Sequence, residues 1–144
     1  MFLGRQENTI DEKGRITFPT RFRDILSDGA VITKGFDQNL LIMPSARWTI
    51  LSENVNKLSV TDVEARALRR DLFSLAAEID LDSAGRFILP PSLRKIAQLT
   101  NSAVFVCIGS DIELWNPDLL DQQDKGMDDP ALNAKRFTAF NLTI

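Results

Sequence analysis

The stretch Asp82-Ser83-Ala84-Gly85-Arg86-Phe87-Ile88-Leu89-Pro90 decides the fold, because the chain carries it twice. The other copy, Asp11-Glu12-Lys13-Gly14-Arg15-Ile16-Thr17-Phe18-Pro19, stands 71 residues earlier, with Asp, Gly, Arg and Pro at the same spacing. The correspondence continues to Arg23 and Arg94. The sequence therefore predicts a duplicated module.

The two copies are expected to fold together. The chain has 144 residues, of which 44% are hydrophobic, so there is enough apolar material for one core of domain size. A unit of about 40 residues rarely forms a stable core by itself. We expect one pseudo-symmetric body in which each repeat buries the apolar face of the other.

The residue inventory excludes several kinds of catalytic site. The sequence contains no histidine, no tyrosine and a single cysteine, so Cys/His zinc sets and Ser-His-Asp triads cannot be built. Its glycines are isolated and form no phosphate-binding loop. One candidate carboxylate pair, Asp80 and Asp82, has no counterpart in the first repeat. The sequence therefore predicts neither an enzyme nor a cofactor, and it shows no small-molecule ligand motif.

The charge is unevenly distributed along the chain. The net charge is −3, but residues 111–144 hold seven acids and three bases, which leaves 14 bases and 13 acids in residues 1–110. This acidity weakens the expectation of nucleic-acid binding without excluding it, because arginines cluster beside the repeated motifs. The start lacks a signal peptide's apolar run, and no stretch approaches the roughly 18 apolar residues of a membrane span. We expect a cytoplasmic protein with no membrane partner.

Each repeat is predicted to contain strand, turn, strand, short helix and two further strands. In the first repeat, a strand over residues 5–10 and a strand over residues 15–18 form a hairpin across a turn that Asp11 and Gly14 shape. Thr20 caps a helix over residues 21–26. The same pattern in the second repeat makes the fold class α+β, mainly β. The predicted segments are residues 1–44 (first repeat), 45–76 (connecting helices), 77–123 (second repeat) and 124–144 (a flexible acidic tail).

Two amphipathic helices are predicted between the repeats. Ser45 caps the first, and Thr61 with Glu64 forms a capping box for the second. Their apolar stripes are typical of helix packing rather than of a cofactor site; they comprise Trp48, Leu51, Val55 and Leu58 in the first and Ala65, Leu68, Leu72 and Leu75 in the second. The arginines between these positions suit a solvated face or intersubunit ion pairs, with phosphate contact as the alternative; they are Arg66, Arg69 and Arg70.

One further strand is predicted in the second repeat. The apolar run over residues 103–108 indicates a strand buried on both faces. Cys107 in this run is expected to be a small core side chain.

The repeated turn has two interpretations. An Asp and an Arg four residues apart can form an ion pair that fixes the turn, which is a purely structural role. Alternatively, a two-stranded ribbon that carries arginine can enter the major groove of DNA, where the guanidinium suits guanine or phosphate. The spacing alone favours the structural interpretation.

The motifs resemble the MraZ family. The resemblance covers about residues 1–123 and rests on Met1-Phe2-Leu3-Gly4, on Asp11, Gly14, Arg15, Pro19 and Arg23, on Asp82, Gly85, Arg86, Pro90, Leu93 and Arg94, and on Gly109 and Trp115. It implies an AbrB-like double-split β-barrel, of which each repeat forms half. It also implies a cytoplasmic, nucleoid-associated transcriptional regulator, generally a repressor. Such proteins assemble into rings and bind direct repeats in double-stranded DNA upstream of their own division and cell-wall operon.

Carried onto this chain, the resemblance makes Arg15 the best candidate for DNA contact, with Lys13 on the same turn. Arg86 is the counterpart of Arg15, but Ser83 and Ala84 leave the second turn without the extra base. We therefore expect the first repeat to contribute more to DNA binding. Asp11, Gly14, Asp82 and Gly85 are assigned to shaping the turns. Two other classes stay open: an AbrB-like antitoxin or interaction module, and a structural ring without a ligand.

Overall fold

The computed structural model describes residues 1–143, apart from the side chain of Ile25. Eight strands are present: β1 (Arg5–Thr9), β2 (Arg15–Thr17), β3 (Ala30–Lys34), β4 (Leu40–Pro44), β5 (Ala77–Glu78), β6 (Arg86–Ile88), β7 (Ser102–Cys107) and β8 (Ile112–Trp115). Five α-helices accompany them: α1 (Ser45–Asn56), α2 (Val63–Ser74), α3 (Pro91–Ile96), α4 (Pro117–Lys125) and α5 (Pro130–Phe137). Two 3₁₀ helices span Thr20–Leu26 and Thr138–Phe140.

The strands form two antiparallel sheets with the symmetry of the repeat. The larger sheet has the order β1-β7-β8-β4-β3-β5, and the smaller one pairs β2 with β6. Exchanging each strand of the first repeat for its counterpart in the second leaves both orders unchanged. The duplicated sequence therefore folds as one pseudo-symmetric body, as expected.

The predicted hairpin between the first two strands is wrong beyond its turn. One isolated bridge, between Ile10 and Ile16, joins the strands directly. β1 instead pairs with β7, and β2 pairs with β6. β7 has six residues, four of them buried, and β6 places the buried Phe87 opposite Ile16, so pairing between repeats joins the apolar residues of both halves in one core. The turn itself forms where the sequence predicts it.

The main core lies between the β2–β6 pair and the large sheet. Ile16 and Phe18, on the side of the β2–β6 pair, are fully buried in this core. Phe105, which belongs to the large sheet, is fully buried in it as well. The rings of Phe18 and Phe105 meet edge to face with centroids 5.6 Å apart, a geometry that aromatic pairs favour. Phe87 packs against Phe18 at a centroid distance of 6.2 Å. Both repeats therefore supply the same core.

Three helices, α1, α2 and α4, cover the other face of the large sheet. α1 and α2 pack on β3 and β4, and the hydroxyl of the buried Thr33 donates to the carbonyl of Leu72 at 2.8 Å. α4 packs on β7, and its Leu120 joins a second apolar cluster with Trp115. Within residues 1–143, no helix has the length and apolar character needed to cross a membrane.

The predicted helix caps are wrong, although the helices are present. α2 begins at Val63, and Asp62 caps it by accepting from the amides of Glu64 and Ala65 at 2.8 and 3.3 Å. A carboxylate placed directly before the helix serves as well as the hydroxyl of Thr61 would. Ser45 is the first residue of α1 rather than its cap. Thr20 likewise opens a 3₁₀ helix, without a side-chain cap.

The predicted apolar stripes end earlier than expected, because α1 stops at Asn56 and α2 at Ser74. Val55 and Leu72 are buried as predicted, whereas Leu58 lies beyond α1 and is exposed.

The long apolar run becomes β7, whose four central residues are buried, while Ile108 beyond it is 49% exposed. Cys107 is half-buried against the main core, and this burial raises the pKa of its thiol.

Because the repeats supply each other's strand partners, neither repeat is expected to fold by itself as a monomer. Expressed separately, residues 1–71 and residues 72–144 are expected to be unfolded as monomers, because β1, β2 and β4 lose the strands they pair with in the other half. Nuclear magnetic resonance combined with sedimentation provides the measurement. A dispersed amide spectrum from a monomeric half would contradict the dependence of each repeat on the other.

Candidate nucleic-acid interface

The first repeated turn is organised by one carboxylate. Asp11 Oδ1 accepts from the backbone amides of Lys13 and Arg15 at 3.0 and 2.8 Å. Its Oδ2 accepts from Arg15 Nε at 2.7 Å. Gly14 closes the turn by donating to the Asp11 carbonyl at 3.0 Å, with a φ of 78° that a residue with a side chain rarely adopts.

The second turn reproduces this arrangement. Asp82 Oδ1 accepts from the amides of Ala84 and Arg86, each at 2.9 Å, and Oδ2 accepts from Arg86 Nε at 3.0 Å. Gly85 has a φ of 76°. The Asp–Arg ion pair of the structural interpretation is thus present in both turns.

The same ion pairs leave the ends of the arginines available. In each pair the carboxylate engages Nε, and no hydrogen bond from either Nη group is seen among the described residues. The Arg15 side chain retains 28% exposure and the Arg86 side chain 34%. Each guanidinium is therefore oriented by its aspartate, while its two terminal nitrogens can still donate to a ligand.

Each turn is also held by the other repeat. The Gly14 carbonyl accepts from the amide of Leu89, and the Gly85 carbonyl accepts from the amide of Phe18, both at 2.9 Å. A Cβ on Gly14 would lie 3.2 Å from Nη1 of Arg94. The guanidinium of Arg23 lies against Gly85 in the same way, close enough that a Cβ there would overlap it.

The β2–β6 ribbon brings the two arginines onto one surface. Ile16 and Phe87 are paired and point into the core, so the alternate positions face outward. There Arg15 lies opposite Ile88, and Thr17 lies opposite Arg86. Directly opposed side chains have Cβ atoms about 4.5–5.5 Å apart and diagonal ones about 7–8 Å. We call these four side chains the outer ribbon face.

The turn hydrogen bonds also fix the charge of the two aspartates. The amide of Arg15 lowers the pKa of Asp11 below its ordinary value of 3.8, helped by the Arg15 side chain and the amide of Lys13. The amide of Arg86, then that of Ala84 and the Arg86 side chain, lower the pKa of Asp82 in the same way. Both carboxylates are therefore ionised at neutral pH.

Of the other basic candidates, one lies on the first turn beside the outer ribbon face and three lie on α2. Lys13 is exposed on the first turn. Arg66 and Arg70 are exposed on α2, where Arg66 Nη1 donates to the Val60 carbonyl at 3.0 Å, and Arg69 is half-buried. Because Asp82 is engaged by Arg86, it is not free to act with Asp80 as an acid–base pair. Within residues 1–143, no group of three or more His, Cys, Asp or Glu side chains is arranged to hold a metal ion.

Sequence reasoning missed the cross-repeat role of Arg23 and Arg94. Arg23 Nε donates to the Phe18 carbonyl at 3.3 Å, and Arg94 donates to the carbonyls of Leu99 and Thr100 at 3.0 and 2.6 Å. Their recurrence at the repeat spacing was the available signal. These hydrogen bonds stay within each arginine's own repeat, and only the folded chain shows that the guanidiniums also lie against the turn glycines of the other repeat.

Comparison with known proteins matches the whole duplicated unit. The family model described as "MraZ protein, putative antitoxin-like" matches twice, over residues 1–71 and 72–140. A protein of Herpetosiphon aurantiacus named transcriptional regulator MraZ is 48% identical over 81% of this chain and 81% of its own. Proteins of the same name from Roseiflexus castenholzii and Thermomicrobium roseum are 46% and 42% identical, over 81% and 82% of this chain and 82% and 83% of their own.

Acid is expected to loosen the two turns together. Since the pKa values of Asp11 and Asp82 are lower in the folded chain than the ordinary 3.8, their ionised forms stabilise the fold above that pH. This contribution is lost as the pH falls through the lowered folded values. Thermal unfolding followed by circular dichroism from pH 7 to pH 2 should therefore show a shallower acid decline for the double variant Asp11→Asn, Asp82→Asn. Asp80→Asn is the control and should decline like the wild type; an unchanged slope in the double variant would contradict the assignment.

Proposed function

The chain belongs to the MraZ family, and we propose that it is a sequence-specific DNA-binding transcriptional regulator that reads DNA with the outer ribbon face. One observation carries this proposal: Arg15 and Arg86 lie on one exposed surface with oriented guanidiniums and available Nη groups. The similarity to proteins named transcriptional regulators supports a role in transcription.

The ribbon has the strand arrangement and the chemistry of a major-groove reader. A two-stranded ribbon fits the major groove of B-DNA, where arginine can donate two hydrogen bonds to guanine O6 and N7. A guanidinium whose orientation is already fixed loses less conformational entropy on binding than a free one. The exposed Lys13 beside it suits a phosphate, which positions the protein without specifying the base. The second turn has Ala84 at the matching position and contributes less.

The proposal includes assembly into a ring that acts on direct repeats upstream of the chain's own operon, as a repressor associated with the nucleoid in the cytoplasm. A single acidic subunit offers few cations to DNA, whereas several identical ribbons can engage successive repeats at once. Such linkage gains about 10²–10⁴ in affinity when the geometry allows simultaneous binding. Large apolar side chains exposed on the described surface support self-association; they include Leu3, Phe36, Val60 and Val63.

The two sheets are proposed to form an AbrB-like double-split barrel. The shared core between the β2–β6 ribbon and the large sheet supports this description, as does the exchange symmetry of the strand orders. In such an arrangement the ribbon is contributed equally by the two halves. The DNA-reading surface then exists only when both repeats are folded together.

A second candidate function is an antitoxin-like or interaction module without operator specificity. The antitoxin-like character of the matching family is consistent with this alternative. In this alternative the segment after α4 binds the partner, because residues 127–143 contribute no buried side chain to the fold and are available for contact. The two functions therefore make opposite predictions for the ribbon and for this segment.

Replacing Arg15 with Ala is expected to abolish specific operator binding in a mobility-shift assay, because the base-contacting guanidinium is lost. Arg86→Ala should weaken binding less. Lys13→Ala should weaken binding to all sequences alike and reduce the log–log salt slope by about one, as expected for one lost phosphate contact. Arg70→Ala, an exposed arginine on α2, is the matched control and should bind like the wild type. Unchanged affinity in Arg15→Ala with an intact fold would refute the proposed interface.

Truncation after Gly126 separates the two candidate functions. It keeps α4 and the ion pair between Arg5 and Asp124, whose atoms approach to 2.7 Å, and it removes only the segment without buried side chains. We expect operator affinity to stay within about twofold of the full chain, because no removed residue lies on the ribbon. A full-length protein without operator preference, together with binding to a protein partner that the folded truncated chain loses, would favour the interaction module.

A further inference from the structure

The outer ribbon face carries one large apolar side chain that is exposed to solvent, unlike those of the other strands. Ile88 is 63% exposed, although it lies in β6. In all the other strands that the structure describes, the large aliphatic and aromatic side chains are buried, from Ile16 in β2 to Trp115 in β8. A large apolar side chain is thus exposed where the proposed function puts DNA.

Strand formation alone does not account for an isoleucine at this position. The corresponding residue of the first repeat is Thr17, which is also β-branched and equally suited to a strand. Thr17 lies opposite Arg86 just as Ile88 lies opposite Arg15. The two halves of the face therefore share an arginine beside a β-branched residue, and only the Arg15 half adds a wholly apolar surface.

This difference has a counterpart in DNA. In the major groove, the C5-methyl group of thymine is the apolar feature that distinguishes base pairs, and apolar side-chain groups from alanine to phenylalanine contact it. From the register and the available chemistry, we infer that Ile88 is a specificity-determining residue that packs against a thymine methyl group beside the base contacted by Arg15. The inference rests on the proposed DNA-binding function and deepens it.

The register also limits where that thymine lies. Directly opposed side chains have Cβ atoms about 4.5–5.5 Å apart, and successive bases of one strand rise about 3.4 Å along the axis. The thymine is therefore one or two base steps from the guanine that Arg15 contacts. In the other half of the face, Thr17 lies beside Arg86 and carries a hydroxyl. We therefore expect this half to have a weaker preference for a thymine methyl group.

The experiment removes the methyl group from the DNA and the side chain from the protein in turn. The probe is a duplex that the full-length protein selects from random-sequence DNA, resynthesised with deoxyuridine in place of one thymidine at a time. Deoxyuridine lacks the C5-methyl group and keeps the same pairing. We expect one replacement, one or two steps from an essential guanine, to weaken wild-type binding about fourfold, the value of one buried methyl group. The same replacement should cost Ile88→Ala nothing.

Three controls make the result specific to Ile88. Ile88→Val keeps a branched apolar side chain and should retain most of the methyl dependence. Ile108→Ala removes an exposed isoleucine outside the ribbon and should retain all of it. Arg15→Ala, measured on the unmodified duplex, reports whether the ribbon binds DNA at all.

The outcomes distinguish a failure of the role assigned to Ile88 from a failure of the proposed DNA-binding function. If Arg15→Ala loses binding but no deoxyuridine replacement affects the wild type, the role of Ile88 is wrong and the proposed function stands. Equal losses in the wild type and in Ile88→Ala would also overturn it, because another residue would then contact the methyl group. If Arg15→Ala binds normally, the proposed function itself fails.

Discussion

The structure depends on the exchange of strand partners between the two repeats. β2 and β6 have three residues each, and neither could persist alone, since an isolated two-stranded ribbon is marginally stable in water. They persist because Ile16 and Phe87 enter a core that both repeats build. The backbone carbonyls of Gly14 and Gly85 then accept from the amides of Leu89 and Phe18 in the opposite repeat. Losing either repeat therefore removes both turns.

The aspartates of the turns contribute more to geometry than to stability. Ion pairs as exposed as Asp11–Arg15 and Asp82–Arg86 contribute little to stability, because water screens the charges. Their structural effect is larger, because each carboxylate accepts from two backbone amides and from Nε of the arginine. The structural and functional interpretations of the motif are thus compatible. The ion pair fixes the direction of a guanidinium whose terminal nitrogens stay free for a ligand.

The sequence predicted the elements of this fold better than their partners. The repeat, the turns, the strand segments and both helices between the repeats could be read from local patterns, because turn chemistry and apolar periodicity are local. The pairing of β2 with β6 could not, since a three-residue strand does not encode which distant strand it meets. The caps failed for a related reason: Thr61 and Asp62 are both good cap residues, and the helix start decides between them.

The candidate site was likewise predicted in part. Arg15 and Arg86 were identified from the motif, but their meeting on one surface depends on the strand exchange. Ile88 could not be distinguished by sequence from the buried isoleucines around it, because its exposure follows from facing away from Phe87.

Photo-cross-linking from the centre of the outer ribbon face is the most direct measurement of the central claim. A benzophenone amino acid at Thr17 would lie beside Arg86 and diagonal to Ile88 without disturbing the core. If the face reads DNA, this protein cross-links to bases of its operator, whereas a benzophenone at Val63 on α2 does not. Cross-linking from Val63 and none from Thr17 would contradict the account.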